Sequence, residues 1–68
     1  MKASSLVALA NIIETNASDY AVISIVDNTV YGGIEVTLER VDSGHVLKAT
    51  GDTLSELEKA IVNGVQPF

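Results

Sequence analysis

The sequence predicts an α+β fold: a helix, three antiparallel strands and a second helix, with both helices packed on one face of the sheet. Three observations carry this. Apolar residues recur at helical spacing near both ends, as Leu6, Leu9, Ala10, Ile12 and Ile13 and again as Leu54, Leu57, Ala60 and Ile61. Between them lie runs rich in β-branched residues, one of which alternates Ile34, Val36 and Leu38 with Glu35, Thr37 and Glu39. Clusters of Asn, Asp, Ser and Gly separate the runs at 16–19, 27–28, 32–33 and 42–44. The 68 residues form one domain, 1–68.

The first helix is expected over 4–15, with Ser4 or Ser5 as its cap. Leu6, Leu9, Ala10, Ile12 and Ile13 fill one broad face, with Ala8, Asn11, Glu14 and Thr15 opposite and Val7 beside the polar side. That arc is wide for a helix lying on a sheet. Either the helix is deeply buried or part of it meets a second subunit.

The strands are expected at 20–26, 29–41 and 45–50. A two-residue Asp27-Asn28 turn would pair Ile25 with Val30 and Ala21 with Ile34, keeping apolar side chains together, whereas a Gly32-Gly33 turn would set Leu38 against Asp27. The first is preferred, which makes Gly32 and Gly33 a bend or bulge within a long second strand. A Ser43-Gly44 loop then pairs Leu38 with Ala49, Arg40 with Leu47 and Glu39 with Lys48.

In this register Ala21, Ile23, Ile25, Val30, Ile34, Val36, Leu38, Leu47 and Ala49 face the helices. The other face shows Tyr20, Val22, Ser24, Val26, Glu35, Thr37, Glu39, Val41, Val46 and Lys48. Tyr20, Val22, Val26, Val41 and Val46 make it more apolar than a solvated face, so they form the candidate interface. The last helix is expected over 53–63. Thr53-Leu54-Ser55-Glu56 reads as a capping box, and Gly64 is placed to turn left-handed at its end, with Val65 against Ala60. Pro67 stops the helix there.

Composition bounds the chemistry. There is no cysteine and a single histidine, His45, so neither a disulfide nor a zinc site can be assembled from one chain. No phosphate loop, dinucleotide fingerprint or nucleophile elbow occurs. Glu35 and Glu39 stand about 13 Å apart on a strand, too far for a glycosidase pair. No catalytic residue, cofactor or metal is assigned, and the chain reads as non-enzymatic. The stretch before the first helix has one positive charge and an apolar core of about five residues, short of the 7–15 that a secretory signal needs. A cytoplasmic, membrane-free protein is expected.

Nine acidic residues against four basic ones give a net charge of −5. A phosphate backbone needs clustered Lys and Arg, so the balance argues against nucleic acid and suits a basic protein partner. Glu35, Glu39, Asp42, Glu56 and Glu58 are the candidate acidic surface.

The order of elements is similar to that of double-stranded-RNA-binding domains, which hold phosphates with a basic start to the last helix. Here that stretch, Asp52 to Glu58, is acidic, so the resemblance implies the topology and argues against the activity. Gly51 to Glu56 also resembles a short stretch of HicB-like antitoxin domains, over six residues and without the proline-rich segment that precedes it there.

A chain this short buries only about 60% of its unfolded surface and often depends on a disulfide, a metal or self-association. With the first two excluded, the expectation is a protein-interaction module acting as a homodimer, of a bacterial or phage regulator or inhibitor type. A weak nucleic-acid-binding domain and a structural subunit, as of a phage particle, are the alternatives.

Overall fold

The computed structural model describes residues 1–27 and 33–65. Its elements are α1 (Ala3–Asn16), β1 (Tyr20–Asp27), β2 (Ile34–Arg40), β3 (Val46–Gly51) and α2 (Leu54–Gly64). The three strands form one antiparallel sheet in the order β1-β2-β3. This is the α-β-β-β-α arrangement expected from the sequence.

α1 begins earlier than its serines suggested. Lys2 is the N-cap and makes no side-chain bond, and the Leu6 N–H donates to the Lys2 carbonyl at 3.0 Å. Ser4 and Ser5 therefore lie inside the first turn. The other end is closed by the Ala17 N–H on the Ile13 carbonyl at 2.7 Å and the Asn16 side-chain amide on the Ile12 carbonyl at 3.0 Å.

α2 carries the expected box, displaced by one donor. Thr53 Oγ1 accepts from the Glu56 N–H, and Glu56 Oε2 accepts from the Asp52 N–H, each at 3.2 Å. Gly64 does not turn left-handed; it belongs to the helix, whose C-cap is Val65 at φ −63°. Glycine stands there for space, because a Cβ would overlap the Leu47 side chain. Val65 and Ala60 both pack against the core.

The strand registers differ from those expected, and each difference has a local cause. Asp27 is the last residue of β1 and lies opposite Ile34, with Val26 on Glu35 and Ile25 on Val36. Neither two-residue turn is compatible with this pairing. β2 is also shorter than 29–41: Gly33, at φ +109°, precedes it, Val41 falls in the following turn, and 28–32 lie outside the described residues.

An irregularity lies in β1, between Val22 and Ser24, where Ile23 has no partner across the ladder; the bend or bulge expected at Gly32-Gly33 falls partly outside the described residues. Beyond it, Val22 faces Leu38, Ala21 faces Glu39 and Tyr20 faces Arg40. One extra residue inverts the alternation. Ile25 stays on the helix side as expected, but Tyr20 and Val22 replace Ala21 and Ile23 there.

The second hairpin is closed by four residues, Val41–Gly44, rather than two. The Arg40 N–H donates to the His45 carbonyl and the Gly44 N–H to the Arg40 carbonyl, both at 2.8 Å, with Gly44 at φ +73°. Leu38 therefore pairs with Leu47, Thr37 with Lys48 and Glu39 with Val46. The shift is two residues, an even number, so the inward set Val36, Leu38, Leu47 and Ala49 is unchanged, while the expected Glu39–Lys48 pairing is not formed.

The core comprises Leu9, Ile13 and Ala17 from the first helical segment, Tyr20, the four inward residues of β2 and β3, and Leu57 and Ile61 of α2. α2 packs on β3 and α1 packs on α2. No helix among the described residues is long and apolar enough to cross a membrane.

Candidate interaction surface

α1 has an apolar circumference that the fold covers only in part. On its wheel the buried residues Leu9 and Ile13 are flanked on one side by the partly covered Ala8 and Ile12. On the other side lie Leu6, Ala10, Ala3 and Val7, all exposed, with Leu6 at 47% and Val7 at 60%. The sequence expected Leu6 and Ala10 in the core and Ala8 outside. The buried stripe is rotated to the Leu9–Ile13 row, with Ala8 and Ile12 partly covered beside it, in a helix that packs on α2.

The uncovered flank lies on the other side of the buried Leu9–Ile13 row from Ala8 and Ile12. α1 runs antiparallel to β1. Its first end is tied by the Met1 amino group to Asp27 at 2.6 Å, its last by the Tyr20 N–H to the Ala17 carbonyl at 3.0 Å.

Among the described residues, β1 is bonded on one side only. Val22 faces the helix layer, since it lies opposite the buried Leu38, yet it remains 48% exposed at the edge. Ile23, at the bulge, is 58% exposed. From Tyr20 to Val26 the strand carries no charge. The opposite edge, β3, is shorter and carries the exposed Lys48, a usual guard against pairing. The free edge of β1 and the flank of α1 thus both leave apolar side chains exposed.

The five residues expected as an interface do not form one patch. Tyr20 is buried at 8% exposure, opposite Arg40 and edge-on to the His45 ring at 6.4 Å. Val22 faces the helix layer, because the bulge inverts β1. Val26 and Val46 do lie on the outer face, but in different rows: Val26 beside Glu35 and Thr50, Val46 beside Glu39 and Ala21. Val41 is exposed in the β2–β3 loop.

The acidic residues are likewise divided. Glu35 and Glu39 share the outer face, and Lys48, opposite Thr37, stands in the row between them. Asp42 pairs with the buried Arg40, its Oδ1 2.8 Å from Nε. Glu56 is occupied in the cap of α2, and Glu58 is exposed. The carboxylates thus lie on the outer face, at one loop and on α2, with no continuous run.

Arg40 was named by the sequence only as a pairing residue, although Ile34, Val36, Leu38 and Arg40 share one parity and the alternation already placed it inward. Its burial, at 6% exposure, follows from Asp42 two residues on. No group of three or more potential metal ligands gathers among the described residues.

These features define a small α+β domain in which α1 is covered on one side and exposed on the other. No family model, curated protein or solved structure matches the chain.

Proposed function

We propose that the protein is a protein-interaction module that works as a homodimer, through the free edge of β1 and the exposed flank of α1. What supports this reading is that Leu6 and Val7 of α1 and Val22 and Ile23 of β1 are all about half exposed or more, and that the edge strand carries no charge from Tyr20 to Val26. The chain has no cysteine for a stabilising disulfide, and a domain of this size gains most from covering such a surface.

Each copy carries −5, and the uncharged stretch of the edge, Tyr20–Val26, is flanked by Asp19 and Asp27. The acidic start of α2, with Asp52, Glu56 and Glu58, argues against the duplex-RNA reading of the same topology. The divided carboxylates, interrupted by Lys48, give less support to imitation of a phosphate run.

Mass in solution against concentration tests the proposal. Ile23→Lys introduces a charge at the most exposed residue of the edge. An Ile side chain is worth about 1.5–3 kcal/mol when fully covered, and a twofold interface counts it twice, so dimer dissociation should strengthen at least tenfold. A wild-type chain that stays monomeric at hundreds of micromolar overturns the reading.

A further inference from the structure

We infer that Asn63 is a site of spontaneous deamidation which the last turn of α2 holds in check, and that the reaction, once it occurs, leaves that turn open. The inference does not depend on the homodimer reading.

Asn63 and Gly64 close α2, and packing imposes the pair. A Cβ at Gly64 would overlap Leu47, which is itself buried in the core, so the residue after Asn63 has to be glycine. Glycine is also the successor that shields its own main-chain nitrogen least, having no side chain. Asn63 is exposed, so water reaches its side-chain amide. The other three asparagines, Asn11, Asn16 and Asn28, precede Ile12, Ala17 and Thr29, each with a Cβ beside the nitrogen.

The chemistry consumes only water. The Gly64 nitrogen gives up its proton and attacks the Asn63 side-chain carbonyl carbon, Cγ. A C–N bond forms, and the side-chain amide leaves as ammonia, taking a proton with it. Water then opens the cyclic imide at either carbonyl, which yields aspartate or its β-linked isomer. In sum, one amide and one water become one carboxyl group and one ammonia.

The helix opposes the first step. Gly64 belongs to α2, where its N–H is directed at the carbonyl four residues back. The imide fixes the Asn63 ψ far from the helical value of about −42°. Beyond it, the Val65 N–H donates to the Ile61 carbonyl at 3.0 Å and closes the turn. The nitrogen can therefore attack only while the last turn is open.

The product favours the open form. α2 has no basic residue in its last turn, so a new carboxylate at position 63 meets the negative end of the dipole uncompensated. The β-linked isomer also adds a main-chain atom before Gly64, which moves Gly64 off Leu47 and Val65 off the core. Refolding does not reverse either change.

Peptide mapping of the full chain, incubated folded and in concentrated urea in mildly alkaline buffer, tests the site. The amide-to-acid mass gain should appear at Asn63 ahead of Asn11, Asn16 and Asn28, and at least about tenfold faster in urea. Asn63→Asp supplies the product charge without the reaction; it should lower the protection of the Val65 amide hydrogen about two- to fivefold, whereas the uncharged Asn63→Gln should not. A reaction that passes over Asn63 overturns the site. Equal rates in the folded chain and in urea overturn the control by the helix, and unchanged Val65 protection in Asn63→Asp overturns the opening.

Discussion

Gly51 ends β3 where the chain turns into α2, and space there is set by main chain. A Cβ at this position would lie 2.8 Å from the Glu56 Cβ and 2.9 Å from the Leu57 nitrogen. Neither can swing aside, since both belong to the first turns of α2 and Leu57 is fully buried. Gly51→Ala should cost about 1–3 kcal/mol, read as a lower urea midpoint with an unchanged slope. Gly44 is the contrast: its surroundings are open, and only its φ of +73° resists a side chain. At the residue scale, the glycine that fails worst is therefore the one without an unusual backbone angle.

Among elements, α2 is the best determined from its own residues. Thr53 and Glu56 bond the orphan donors of its first turn, and Leu57 and Ile61 point one face at β3. Thr53→Ala should remove about 1 kcal/mol of stability, with thermal unfolding as the measure. The sequence located this helix, its cap and its buried residues because each signal is local. α1 was legible as a helix but not in its orientation: its apolar arc exceeds what one neighbour can cover, and which part stays bare depends on where α2 sits. The strands were legible as strands, and the faces of β2 and β3 survived because their register error was even. β1 was misread over Tyr20–Ile23 because a bulge leaves no mark on composition; Ile23 looks like any other strand isoleucine. The expected interface inherited that error at Tyr20, which is buried, while Ile23 is exposed.

At the scale of the molecule, ten apolar residues form the buried core among the described residues, none larger than a tyrosine, so stability and association are expected to be linked. Above the dimer's dissociation constant, each tenfold rise in concentration should add about 0.7 kcal/mol per protomer, which for a domain this size moves Tm by about 3–6 °C. Ile23→Lys should flatten that dependence while leaving the dilute-limit Tm close to wild type, because its side chain lies outside the core. A Tm of the wild-type chain that is constant over two decades of concentration contradicts the linkage.

The unpaired Ile23 gives β1 a phase slip, and with it a position-dependent tolerance to change. Before the slip the even-numbered residues Tyr20 and Val22 face inward; after it the odd-numbered Ile25 takes that side. A scan of polar substitutions along the strand would therefore trace two sensitivity waves in opposite phase, joined at Ile23. The same slack makes this residue the place where evolution can lengthen or shorten the strand by one without turning its neighbours over.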